Sequence, residues 1–105
     1  MGDETSRGEK DLLVALRHPL RRSILKTMLA DGDPLSPRQI SDEIAEPLSK
    51  TRYHVRVLAD SGAVNLVDQA PGRGSMQHFY AVEIQEPWAL RVLGGPEENG
   101  DDSDG

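Results

Sequence analysis

A chain of 105 residues with a net charge of −6 has room for one domain and one modest core. It contains no cysteine, which excludes disulfides, thiolate metal sites and cysteine nucleophiles. Residues 1–10 lack the apolar stretch of a secretion signal, and no apolar run approaches the ~18 residues of a membrane span, so a soluble, cytoplasmic chain without membrane contact is expected. An acidic balance argues at first against a polyanionic partner, because affinity for nucleic acid is built largely on neutralised phosphates. The distribution reverses that impression. Glu97, Glu98, Asp101, Asp102 and Asp104 crowd the last nine residues, and residues 1–10 add a net −1, which leaves residues 11–96 neutral. Local clustering of charge then decides.

Residues 1–10 and 96–105 are polar and charged and are expected to be disordered. Between them, Asp11 can cap a short helix carrying Leu12, Leu13 and Leu16, which His18-Pro19 interrupts. Pro19 suits the first turn of a second helix whose apolar residues Leu20, Ile24, Leu25, Met28 and Leu29 recur at three- and four-residue spacing. Ser36-Pro37 opens a third helix as N-cap and first-turn proline, and Glu46-Pro47 stops it. A fourth helix runs over 49–61, with Gly62 as its left-handed terminator. Val64–Val67 and Met76–Val82 read as strands joined by a flexible turn around Gly72-Arg73-Gly74. After Glu86-Pro87 comes a short apolar segment ending at Gly94-Gly95. The expected organisation is a winged helix-turn-helix domain over 11–83, a C-terminal apolar segment over 84–95 that could dimerise, and an acidic tail over 96–105. The fold class is mainly α with a small β-hairpin.

The fourth helix carries the functional argument. At about 100° per residue, Thr51, Val55 and Leu58 share one side, which must face the core, and Ser49, Tyr53, Arg56 and Asp60 stand opposite with Arg52 and Lys50 on the flanks. Two short helices joined by a tight turn, the second opening with small and basic residues, form the minimal unit that seats a helix in a major groove. Ser49, Lys50, Arg52 and Tyr53 are candidates for reading base edges, and Arg56, a turn later, for meeting a phosphate. Arg73, between two glycines at the hairpin tip, can reach the adjacent minor groove or backbone.

Three stretches, Ala15-Leu16-Arg17-His18-Pro19-Leu20-Arg21-Arg22-Ser23-Ile24-Leu25, Tyr53-His54-Val55-Arg56-Val57-Leu58-Ala59-Asp60-Ser61-Gly62-Ala63-Val64 and Arg73-Gly74-Ser75-Met76-Gln77-His78-Phe79-Tyr80, resemble the ArsR-like winged-helix transcriptional regulators. The resemblance implies a homodimer on an imperfect palindrome of double-stranded DNA, a repressor in the nucleoid. It carries the groove role to Ser49, Lys50, Arg52, Tyr53 and His54 and the wing role to Arg73. Metal-sensing members place cysteine pairs before the recognition helix or Asp and His pairs in the last helix. Here Arg38–Ile44 holds no cysteine and the last segment no histidine, so no metal and no cofactor is expected, and nothing identifies an effector.

Bland readings compete at several positions. Arg21 and Arg22 are expected to be solvated helix-face arginines rather than phosphate contacts. His78 alternates with Met76 and Tyr80 and is expected to pack. His54, at about 140° from Ser49 on the wheel, is evenly balanced between a contact and a partly buried histidine. The three histidines are distant in sequence, and no carboxylate pair or phosphate-cradling loop stands beside a base, so the chain is not expected to be an enzyme. A winged helix that binds protein instead of DNA is the alternative.

Overall fold

Proline marks where helices begin. Pro19 and Pro37 occupy first-turn positions, Pro47 is the N-cap of the fourth helix, and Pro87 opens the last helix; a first-turn proline gives up an N–H that has no helical partner and brings a preset φ. The computed structural model describes residues 11–72 and 74–94. The expected disorder of both termini and the role of Arg73 lie outside the described residues. Within them, helix α1 covers 11–17, α2 Pro19–Asp31, α3 Pro37–Ile44 and α4 Leu48–Asp60. Strands β1 (Val64–Pro71) and β2 (Met76–Val82) follow, then α5 (Pro87–Gly94).

Each junction has a local chemical cause. The break between α1 and α2 is capped by His18, whose Nδ1 accepts the Leu20 N–H at 3.1 Å. Asp11 is itself helical, not a cap. Gly32, at φ 86°, ends α2 and returns its N–H to the Met28 carbonyl. Ser36 forms a reciprocal capping box with Gln39 at the start of α3, which satisfies two otherwise orphan donors. The turn into α4 passes through Ala45 in the left-handed region at φ 58° and is fastened by Ser41, whose Oγ donates to the Glu46 carbonyl at 2.6 Å. The buried Thr51 donates both its N–H and its Oγ to the Pro47 carbonyl, fixing the start of α4. Gly62, at φ 84°, allows the Ala63 N–H to reach back to the Leu58 carbonyl, the C-terminal motif expected of glycine there.

The core runs through all these elements. Ile24, Leu25, Ile40, Val55 and Leu58 are essentially inaccessible, joined by Leu12, Ala15 and Leu16 of α1 and Met28 of α2. Truncating one of the larger of these to alanine would cost about 2–5 kcal/mol. Leu29 departs from the expected stripe and is 39% exposed, because it lies roughly 140° round the helix from Ile24, beyond the edge of the buried face. Ala89 and Leu93 of α5 are buried in the same core, with Trp88 packed against it. That segment therefore covers its own chain, while Leu90 and Val92 remain outside at 36% and 45% exposure.

The hairpin is longer than the sequence suggests. β1 continues past Val67 to Pro71, paired antiparallel with β2 from Val64↔Val82 to Pro71↔Met76, and a register shift between Leu66 and Asp68 leaves Val67 without a partner. Pro71 is tolerated because it is the final residue of its strand, where a missing N–H costs nothing inside the ladder. Leu35, just before α3, adds an isolated antiparallel bridge to Tyr80, with N···O distances of 3.0 and 2.9 Å in the two directions. This bridge ties the root of the hairpin to the start of the helix-turn-helix. The described residues thus form five helices with one two-stranded antiparallel hairpin, the mainly helical α+β architecture of a winged helix-turn-helix domain.

Candidate nucleic-acid interface

Packing turns α4 so that Thr51, Val55 and Leu58 are buried and Ser49, Lys50, Arg52, Tyr53 and Arg56 are exposed. Tyr53 stands out at 61% exposure. An aromatic ring left in water at the middle of a helix face offers an amphipathic surface for a base or a sugar. Lys50 differs from its neighbours because its Nζ lies 3.6 Å from the Glu46 carboxylate, one turn back. The pair is well exposed and so holds the lysine only weakly.

His54 does not share that face. It is 6% exposed, its ring 4.4 Å from the ring of His18 and edge-on to Tyr53 at 5.0 Å. Its Nδ1 lies 3.2 Å from an Arg21 Nη1, and since a guanidinium can only donate, Nδ1 accepts and the ring proton sits on Nε2. Burial first, then the positive surroundings of His18, Arg21 and Lys50, hold its pKa below the ordinary value of 6.5. The α1–α2 junction covers the 140° position of the helical wheel, so His54 is buried there.

Arg21 and Arg22 are half-buried and turned back onto the end of α1 rather than fully solvated. Helix α1 ends against Pro19, which has no N–H to offer, and its last four carbonyls need other donors. Arg21 donates to the carbonyls of Ala15 at 2.9 Å and Val14 at 3.3 Å. Arg22 donates to those of Leu16 at 2.7 Å and Arg17 at 3.0 Å. Two guanidinium groups therefore cap α1.

An open cleft of about 800 Å³ separates α4 and the first turn of α3 from the hairpin, with Arg38, Arg52 and Arg56 on one side and Ser75, His78 and Tyr80 among the residues on the other. No aspartate or glutamate among the described residues lines it. Among the described residues, none of the three arginine side chains makes an ion pair or a hydrogen bond with the protein. Two of the cleft residues escaped the sequence reading. Arg38 sits in the first turn of α3 and reaches the cleft through the angle between α3 and α4, which no periodicity reveals. His78 was expected to pack but is exposed, because the outer hairpin has no second layer on that face. Met76, Gln77, His78 and Tyr80 all border the cleft.

Chemically the surface offers donors and positive charge, suited to acceptor atoms and phosphates. Among the described residues there is no group of three or more metal-ligating side chains. Nor is any helix long and apolar enough to cross a membrane. No curated protein matches the chain. Residues 16–67, from the end of α1 to the middle of β1, match the family model described as a helix-turn-helix domain, and together with the fold this supports a DNA-binding helix-turn-helix regulator.

Proposed function

We propose that the chain is a sequence-specific double-stranded DNA-binding transcriptional regulator of the ArsR-like type, acting as a repressor in the cytoplasm and associated with the nucleoid. In this reading α4 enters the major groove with Ser49, Lys50, Arg52, Tyr53 and Arg56 toward the DNA, and the hairpin, with Arg73 near its tip, meets the flanking groove or backbone. His54 acts from behind, holding α4 against the α1–α2 junction. The observation that carries the proposal is the pairing of an exposed polar face on α4 with an arginine-lined cleft that no carboxylate of the described residues borders. Uncompensated positive charge beside a helix built to project suits a regular polyanion. The role is binding, not catalysis.

The working unit is a homodimer. Its support is the apolar surface left on the two terminal helices, Leu13 and Val14 of α1 at 51% exposure each and Leu90 and Val92 of α5, a sizeable share for so small a domain to leave in water. A two-fold protein selects an inverted repeat with half-sites roughly 34–36 Å apart. Selection of bound sequences from a random duplex pool should therefore enrich such a repeat, and sedimentation of the bound complex should give two chains per site. A folded chain that enriches nothing and shifts no random duplex at low salt would instead favour a protein-binding winged helix.

A further inference from the structure

Which DNA atoms enter the arginine cleft can be inferred from where its two walls would lie. One wall is α4 with the first turn of α3, and the other is the exposed face of β2. If α4 occupies a major groove and the hairpin approaches the neighbouring minor groove, the element between them is the single sugar–phosphate strand that separates those grooves. We propose that this cleft is a phosphodiester clamp, in which Arg38, Arg52 and Arg56 grip the backbone strand running between the recognition helix and the wing, with His78 facing it from β2. The proposal rests on the DNA-binding reading above and assigns two residues, Arg38 and His78, that the helical pattern of α4 does not contain.

Three features of the cleft favour phosphate over base edges. Three arginines from two helices line one space with no carboxylate among the described residues around it, a concentration of positive charge that an anion would balance. A base edge offers neutral acceptors, whereas a strand offers one full charge per ~3.4 Å of helix axis, a spacing that several guanidinium groups can share. The planar donor fork of arginine also suits phosphate oxygens. Arg52 lies on the cleft flank of α4 beside Arg56, one turn away. Its role is therefore anchoring, which leaves reading to Ser49 and Tyr53 on the projecting edge. Lys50 stands outside the cleft and is engaged by Glu46.

The test is a salt titration of the full chain and its Arg38→Gln, Arg52→Gln and Arg56→Gln variants on the selected duplex and on a random duplex, each variant first shown by circular dichroism to melt like the parent. Each substitution should lower the salt slope by about one unit for every phosphate that a bound chain no longer neutralises. Between 50 and 200 mM salt the variant's affinity should thus fall about 3.5-fold less than the parent's for each such phosphate. The ratio of selected to random affinity should stay within about twofold of the parent value for these anchors. A neutral methylphosphonate placed singly along the strand should weaken the parent at one or two positions and leave Arg38→Gln indifferent at the same positions. An Arg38→Gln variant with unchanged slope and unchanged methylphosphonate response overturns the clamp, as does an Arg52→Gln variant that loses the ratio and keeps its random affinity. If the parent binds neither duplex, the DNA-binding reading itself has failed. If it binds both and only the variants misbehave, the clamp alone has.

Discussion

Two sets of arginines read alike in the sequence and behave oppositely in the fold. Arg21 and Arg22 project from the start of α2 and turn back to hold the Val14, Ala15, Leu16 and Arg17 carbonyls at the end of α1. Arg38, Arg52 and Arg56 border an open cleft that no carboxylate of the described residues lines. The difference arises from proline and not from arginine. Pro19 interrupts α1 and removes an N–H just where the carbonyls need one, so the nearest guanidinium groups are drawn inward. No such deficit exists near α3 and α4, where Ser36, Gln39, Ser41 and Thr51 already satisfy the backbone. Positive charge there is free to act outward. The first pair is architecture, and the second set is available for binding.

The sharpest way to break this contrast is Arg21→Ala. It strands two carbonyls of α1 and the Nδ1 of the buried His54, and hydrogen bonds to a charged donor are worth about 1.5–3 kcal/mol. Because Arg21 is part-buried, a loss of about 2–3 kcal/mol is expected, a fall in Tm of roughly 10–20 °C for a domain of this size. Thermal melts check it. The salt slope for DNA of the remaining folded protein should be unchanged if, as proposed, the phosphates are met by the cleft arginines and not by Arg21.

The same cluster should respond to pH with a smaller effect. The folded pKa of His54 lies below its unfolded value of 6.5, so under acid the unfolded chain takes up a proton that the native state refuses. Stability from this site is therefore complete above about pH 6.5 and declines as pH falls through that value, levelling once the pH passes below the folded pKa. Urea unfolding of the wild type and His54→Gln, compared across pH 7.5 to 5, should show a steeper acid loss in the wild type. Parallel curves would remove His54 from the account.

Ala45→Gly probes the turn that sets α3 against α4, and with it Arg38 against Arg52. Alanine at φ 58° bears a left-handed penalty of about 1–2 kcal/mol that glycine escapes, against a greater loss of unfolded-chain freedom of roughly 0.5–1 kcal/mol. A gain of up to about 1 kcal/mol in stability is expected by denaturant midpoint, with DNA affinity unchanged. Smallest of all should be the effect of Arg56→Ala on folding. An exposed side chain without partners moves stability by about 0.5 kcal/mol or less, and an Arg56→Ala melt displaced as far as that of Arg21→Ala would erase the distinction between the two sets.

Much of this architecture was legible in the sequence because it rests on local chemistry. The α4 stripe, the Ser36-Pro37 start, the Gly62 stop and the β2 boundaries each follow from propensity or period within a few residues. What was not legible depends on distant pairing. The Leu35–Tyr80 bridge is a single pair with no periodic signature, and the continuation of β1 through Asp68-Gln69-Ala70-Pro71 is imposed by β2, since those residues have little strand preference of their own. Arg38 enters the cleft by the angle between two helices. The inward turn of Arg21 and Arg22 was hinted at by Pro19, which leaves carbonyls to be satisfied, but their identity as partners needed the geometry of the junction.

In the proposed function the arginines of the cleft, and not those of the α1–α2 junction, give the chain its affinity for DNA. Anisotropy of a labelled random duplex at 50 mM salt, titrated with the wild type and with the combined Arg38→Gln, Arg52→Gln, Arg56→Gln variant, tests it directly. The wild type should bind in the micromolar range or tighter, as non-specific binders do, with an affinity that falls steeply with salt. The triple variant, folded by circular dichroism, should lose at least tenfold in affinity and most of the salt dependence. A wild type that stays unbound at 100 µM, set against the ~10⁻⁴–10⁻⁶ M typical even at physiological salt, or a triple variant that binds as tightly as the parent, would contradict the claim.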